Sequence, residues 1–481
     1  MTKSLSLSKT FLACLALLVG ANAGAADFEW SGTYRVEGNH IKNSELNGSR
    51  QLDYGLHHLS LRPKIVAGDG ITIFGQFELF NSNSYPNSQL GQVFGSGVNT
   101  SKPYAAGTTA DDSSGLSGVQ RSEAILISHL YLSWVQEYGA LLAGRAPLHF
   151  GLGMSYNAGK GLFDHWFDTR DLVAYKIMMG NLSLTPMYGK VHEGDLDRAE
   201  DINDFMVNLM YENPESDLEM GVHYRVRKSG DTGSDVPKDS ATNPVGIGGN
   251  NSVNAAIDMN ELNVYAAKDT DRWRAAVEAA FLSGKIGVAT AAAEDVTMNG
   301  FGIASEFEYR PEGSRWKYGL KAGYASGDDP ETDSQYEGYI FDRNYDVAML
   351  LFNRPLGRQD VLRTGAYGGG PNATTGLQDK PDVEAISNVM YAVPYFDYQW
   401  TDKFSVQGAL ALGWLNVDPQ LVDDVGSDLG YEVDLGLSFS PRKGVVWKNE
   451  IGMLFPGSAF DFNGEGPGFA YGYTSRAAIS F

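Results

Sequence analysis

From residue 27 onward the apolar side chains of this chain fall on every second position within a series of short segments, and the breaks between segments are alternately tight and long. Few folds tolerate that combination. A closed antiparallel barrel needs it, because each strand must offer one face to an apolar phase and the other to water, while short turns gather on one rim and long loops on the other. The last segment shows the rule. Tyr471, Tyr473, Ser475, Ala477, Ile479 and Phe481 fall on one face, and Gly472, Thr474, Arg476 and Ser480 on the other.

Segments 28–40, 57–67, 70–81, 123–136, 140–150, 172–179, 182–191, 202–211, 217–228, 259–268, 273–283, 301–310, 315–326, 389–400, 404–417, 429–440, 445–455 and 469–481 read as eighteen strands. The fold class predicted is all-β: an up-and-down antiparallel barrel that crosses a membrane with strands, because no later run is apolar and long enough for a membrane helix. The longest connections, residues 82–122, 229–257 and 327–388, are rich in Gly, Ser, Asn and Asp and read as solvated outer loops. An even strand number returns the chain to the side on which it started. The alternate positions support the same division: Leu218, Met220, Val222, Tyr224 and Val226 suit hydrocarbon, whereas Glu219, His223, Arg225 and Arg227 need water or ionic partners. Trp30, Trp134, Trp273, Trp316, Trp400, Trp414 and Trp447 stand near strand ends, where interfacial girdles lie. A soluble sandwich or propeller would also alternate, but these strands are long and no blade motif repeats.

The first 26 residues read as a secretory signal peptide: Lys3 and Lys9, an apolar stretch from Phe11 to Gly20, and small residues leading to cleavage after Ala25 or Ala26. The barrel is expected to occupy residues 27–481. The single cysteine, Cys14, lies in the leader, so the mature chain is expected to hold together by backbone pairing and packing alone. The formal charge of −22 becomes −24 once Lys3 and Lys9 leave with the leader. That acidity excludes a nucleic-acid partner, since phosphate binding needs a basic face.

With the apolar faces outward, the interior receives Arg35, Arg62, Lys64, Arg145, Arg225, Arg227, Arg272, Arg274, Arg310, Arg315, Lys317, Lys321 and Arg476, together with Glu29, Glu37, Glu78, Glu219, Glu278, Glu306, Glu308, Glu432, Asp434 and Glu450. The wall is expected to be mixed and to lean basic, with Arg272 and Arg274 pairing toward Glu306 and Glu308. An ion-pair network and a solute-selecting track fit these residues equally. A barrel this wide needs something to narrow it. Residues 82–122 and 151–170 are the candidate constriction loops, the second carrying Phe163, His165, Trp166, Phe167, Asp168 and Arg170. Acidic outer-loop residues such as Asp111, Asp112, Glu193, Asp195, Asp197, Glu200, Asp201, Asp328, Asp329, Glu331, Asp333, Asp423, Asp424 and Asp428 could hold calcium or bridge to lipid phosphates through divalent ions, but no closed cation motif is present and no other cofactor is expected. No hydrolase elbow, zinc-protease motif or phosphate-cradling loop occurs, and no enzyme activity is expected.

The leader, the amphipathic strands and terminal Phe481 resemble Gram-negative outer-membrane porins over the whole mature chain. In that class the last strand is read by the barrel assembly machinery, a role the resemblance gives here to Tyr473, Ala477, Ile479 and Phe481. Within it, Gly144-Arg145, His149-Phe150-Gly151, Trp166, Arg170 and Asp171 look like the alginate-export type of eighteen-stranded porin. That narrower resemblance implies an arginine-lined conduit for an anionic polysaccharide, with Arg145 on its wall; the acids in the same lumen depart from it. The expected function is passive diffusion of small hydrophilic solutes across the outer membrane, with lipid and lipopolysaccharide around a monomer or trimer. Export of a polyuronate such as alginate, or a structural, adhesive or enzymatic barrel, are the alternatives.

Overall fold

The computed structural model describes residues 27–48, 50–81, 90–94, 125–193, 201–229, 253–289, 295–332, 334–363, 370–371, 384–419 and 426–481. Residues 1–26, read above as a signal peptide, and most of residues 82–122 lie outside them. Eighteen long strands form the wall: β1 Asp27–Lys42, β2 Gln51–Gly68, β3 Ile71–Leu79, β4 Leu126–Gln136, β5 Gly139–Pro147, β6 Thr169–Met179, β7 Leu182–His192, β8 Ile202–Asn213 and β9 Leu218–Ser229 in the first half. The second half is β10 Val253–Asp269, β11 Trp273–Ala289, β12 Asp295–Tyr309, β13 Trp316–Ala325, β14 Val389–Thr401, β15 Phe404–Leu415, β16 Asp428–Arg442, β17 Val445–Pro456 and β18 Ala470–Ser480.

Each wall strand pairs antiparallel with the next, and β18 returns to β1 from Thr33↔Ser480 to Lys42↔Tyr471. The ring is closed, so no wall strand is left as an edge. Several strands run further than the alternation suggested. β2 starts at Gln51, β10 at Val253, β11 continues to Ala289 and β12 starts at Asp295. The added residues mix polar and small positions with apolar ones such as Leu56, Ile257, Ile286 and Met298, and neighbouring strands supply a ladder for them that periodicity does not reveal.

The tight rim carries connections such as Asp69-Gly70, Gly180-Asn181 and Lys443-Gly444. Gly444 has φ +78°, and a Cβ there would stand 2.6 Å from the Ser480 carbonyl oxygen, so only glycine fits. The other rim carries the long connections. Burial is inverted relative to a water-soluble globule. On β9, Met220, Val222 and Tyr224 are 40 to 48% exposed, while His223, Arg225 and Arg227 are 4 to 8% exposed. Trp30, Trp134, Trp273, Trp316, Trp400 and Trp447 form an exposed belt next to the tight turns.

The apolar core lies inside the ring rather than between two sheets. One part packs Tyr339, Phe341, Leu350, Leu351 and Phe352 against inward residues of β11 to β18, including Ala304, Tyr391, Ala411 and Leu454. A second part packs Leu148, Phe150 and Tyr156 against Leu172, Met206, Tyr265 and Ala276. Both parts are built from chain that leaves the long-loop rim and turns back into the barrel.

Candidate functional site

Residues 148–168, between β5 and β6, cross the interior. At one end the Glu278 carboxylate on β11 accepts from the backbone N–H groups of Leu152 (2.7 Å), Met154 (3.2 Å) and Ser155 (3.0 Å). Gly151, at φ +52°, allows that approach, since a Cβ there would sit 2.7 Å from Glu278 Oε2. Beside it the Tyr156 hydroxyl donates to Glu261 on β10 at 2.7 Å. At the other end His165 Nε2 lies 2.9 Å from Glu37 on β1, and the Arg35 guanidinium donates to the Asp164 carbonyl at 2.5 Å and to the Leu90 carbonyl at 2.7 Å. β1 and β10 are opposite members of the eighteen-strand ring, so the segment spans a diameter.

Glu278→Gln is expected to destabilise this anchor by about 1–2 kcal/mol, because three backbone donors lose a charged acceptor. Limited proteolysis of refolded protein, read as faster cleavage within residues 151–163, checks it.

Residues 334–363, between β13 and β14, fill the opposite half. Leu350 and Leu351 N–H donate to Glu432 at 2.8 and 2.7 Å, Met349 N–H donates to Asp434 at 3.1 Å, and the Tyr345 hydroxyl donates to Glu306 at 3.3 Å. The two segments are also tied to each other. Asp342 N–H donates to the Met154 carbonyl (2.7 Å), Trp166 and Asn344 exchange two hydrogen bonds (3.1 and 2.7 Å), and the Arg343 guanidinium lies 4.6 Å from the centre of the Trp166 ring. The Asp168 and Asp342 carboxyls hydrogen-bond each other. Burial raises both pKa values, and the facing Asp168 carboxylate raises that of Asp342 further. Asp342 therefore keeps the proton and donates it.

Residues 151–170 thus fold inward, as read from their aromatic content. Of residues 82–122, Leu90 to Phe94 are described: Leu90 is buried against His165, and Gln92–Val93 pairs with β2. The inward course of residues 334–363 was not read from the sequence, where they belong to a connection taken as solvated. Their signal is Val347-Ala348-Met349-Leu350-Leu351-Phe352, an uninterrupted apolar run that a solvated loop would not carry.

Between the two segments and the inner faces of β12 to β18 and β1 lies a cavity of about 390 Å³. Phe163 and His165 border it on one side, Val347, Asn353 and Arg354 on another, and Asn39, Thr474 and Arg476 form part of its wall. Among the constriction candidates, Phe163 and His165 therefore face this gap. Trp166 and Asp168 belong to the tie between segments, and Arg170 lies 3.2 Å from Asp204.

Arg62, Lys64, Arg274, Glu306, Glu308, Lys317, Lys321 and Arg476 point into the barrel, and of these Glu308, Lys321 and Arg476 border the cavity. Arg35, Arg225 and Arg227 also point inward but are buried, with Arg225 on Glu261 (2.5 Å) and Arg227 bidentate on Asp204 (2.8 and 2.9 Å). They brace the wall and its inward segment instead of meeting open water. Arg272 and Arg315 belong to the tight-turn rim, where Arg272 pairs with Glu312 and Arg315 donates to the Trp400 carbonyl at 2.8 Å. They do not line the lumen. The expected pairing of Arg274 is made with Glu306, at 3.3 Å.

Arg145 is on the opposite face from the one expected. It pairs in register with exposed Leu130 and makes a bidentate bond to Asp171 (2.7 and 2.8 Å) on the outside of the barrel. Ala140-Leu141-Leu142-Ala143 is apolar on both faces, so periodicity cannot orient β5. Packing of Leu142 against the inward Leu148 and Phe150 group decides it and sends the odd positions outward. The basic lean is also absent from the cavity, which is bordered by six carboxyl residues (Glu37, Glu308, Asp346, Asp397, Asp434, Glu450) and four Lys or Arg (Lys321, Arg354, Lys448, Arg476). Tyr473, Ile479 and Phe481 are exposed on the outer face, and Phe481 exchanges two backbone hydrogen bonds with Gly32. Among the described residues no group of three or more His, Cys, Asp or Glu could hold a metal ion.

No protein-family model and no curated protein matches the chain. Similar solved structures include Pseudomonas aeruginosa OccK8 (OprE), at 9% identity over 95% of this chain and 98% of that one with a TM-score of 0.49. Pseudomonas aeruginosa OccK2 (OpdF) in complex with glucuronate is 11% identical over 95% and 98%, with a TM-score of 0.48. A loop L8 deletion mutant of the Vibrio cholerae outer-membrane protein OmpT is 10% identical over 95% and 100%, with a TM-score of 0.39. These likenesses are too distant to transfer a substrate. The closed ring rests on this chain's own strand register.

Proposed function

We propose that this protein is an outer-membrane channel through which small hydrophilic solutes diffuse passively. The observation that carries the reading is the inverted burial of a closed ring: apolar and aromatic side chains cover the outside, and the charged side chains of the wall strands turn inward. Hydrocarbon is the surrounding that makes such an exterior favourable. Inside, the two inward segments leave the polar cavity bordered by Phe163, His165, Asn353 and Arg354 as the narrow part of the path. The tight turns face the periplasm, and the exposed aromatic pattern ending at Phe481 serves as the assembly signal. Lipopolysaccharide surrounds the long-loop rim.

A planar-bilayer recording of refolded protein is expected to give stepwise conductance; silence at every voltage would count against an open channel. Phe481→Ala is expected to lower the amount of folded barrel recovered from outer membranes, with unassembled chain accumulating in the periplasm. Passage of a polyuronate along an arginine track finds less support, because Arg145 faces outward and carboxylates outnumber Lys and Arg around the cavity.

A further inference from the structure

Charge in the cavity is not distributed evenly between the two signs. Lys448 lies 2.6 Å from Glu450, Arg476 pairs with the same carboxylate, and Lys321 lies 3.7 Å from Glu306. These cations are answered by full negative charges. Asp397, by contrast, accepts from the neutral amide of Gln407 at 2.9 Å, and Asp434 accepts from Met349 N–H at 3.1 Å through one oxygen. The Asp434 carboxyl also hydrogen-bonds the Glu432 carboxyl, so the two share a proton and keep one negative charge between them. Dipoles of this kind solvate a carboxylate without cancelling its charge, so the cavity keeps a negative potential, reinforced by a chain of net charge −22.

A second observation concerns neutral groups. Asn39 and Thr474 stand opposite each other in the β1–β18 register, border the cavity and are 7% and 4% exposed. Neither Asn39 Nδ2 nor Thr474 Oγ1 has a hydrogen-bond partner among the described residues, and the same holds for Arg476 Nε beside them. Buried polar groups left in this way call for a partner that the protein does not provide. A solute hydroxyl or carbonyl has the required chemistry.

We propose that the cavity selects small hydrophilic cations carrying hydroxyl or carbonyl groups, with Asp397 and Asp434 attracting the positive charge and Asn39, Thr474 and Arg476 receiving the oxygen substituents. This rests on the channel reading above. The full mature chain, refolded and placed in a bilayer under a KCl gradient, should give a reversal potential corresponding to K⁺ favoured over Cl⁻ by about threefold or more. Asp397→Asn and Asp434→Asn should each reduce that ratio by about half. Liposome swelling with glucosamine, glucose and gluconate, three solutes of similar size and different charge, should rank glucosamine first and gluconate last.

A preference for Cl⁻, or gluconate entering as fast as glucosamine, would overturn the proposal while leaving the channel intact. An unchanged ratio in both folded variants would overturn the assignment to these two residues. If neither variant assembles, the reversal potential and solute ranking of the unaltered protein still decide the selectivity. Absence of both conductance and swelling would remove the channel reading and this proposal with it.

Discussion

Replacing residues 341–352 by a short Gly-Ser linker is expected to raise single-channel conductance about fivefold or more, because an eighteen-strand ring is too wide for its own wall side chains to fill. The segment supplies Phe341, Leu350, Leu351 and Phe352 to the interior core, and it holds Glu432 and Asp434 through three backbone N–H groups. Its removal exposes those carboxylates and the inner face of β14 to β17 to water. Wall pairing does not pass through the segment, so the barrel should still form, which far-UV circular dichroism and resistance to unfolding in cold detergent would verify. Unchanged conductance in a folded variant would mean that this segment does not limit the path.

Raising the pH through the elevated pKa values of Asp342 and Asp168 is expected to loosen the tie between the two inward segments. Asp342 and Asp168 have raised pKa values in the folded protein, so the folded state binds a proton more tightly there than the unfolded chain does. The tie is complete below the raised values and weakens as pH climbs through them, when a second carboxylate forms beside the first. Arg170 and Glu261 act on Asp168, and Arg343 acts on Asp342, but burial is the largest influence on both. Trp166, held by Asn344 and covered by Arg343, should report the change in its fluorescence, and conductance should rise over the same interval. Asp342→Asn should abolish this pH dependence, because an amide donates to the Asp168 carboxylate at any pH. A transition that survives the substitution would place the titrating group elsewhere.

Much of the architecture could be read from residue order. Alternation on segments such as 218–226 separates a face suited to lipid from a charged one, and the succession of tight and long breaks gives antiparallel order with an even strand number. The aromatic stretch around Phe163 and His165 marks an inward segment because exposed aromatic side chains are costly in a solvated loop. The site was less legible. Arg35, Arg225 and Arg227 fall on the inward face by parity, yet whether they meet water depends on what covers them: Asp164 of the inward segment on Arg35, Tyr156 of the same segment on Arg225, and the cross-strand partner Asp204 on Arg227.

The sequence by itself determined the ring, because period-two patterning is local and each strand needs only its neighbours to express it. Tertiary structure alone decided what fills the ring. The inward course of residues 334–363 depends on contacts between residues distant in the chain, and the outward face of Arg145 and the pairing of cavity charges depend on which side chains pack beside them in the folded ring. An apolar run such as Leu141-Leu142 fits either face until a neighbour packs against it, and a carboxylate such as Glu432 gives no sign in sequence of the backbone amides that will reach it.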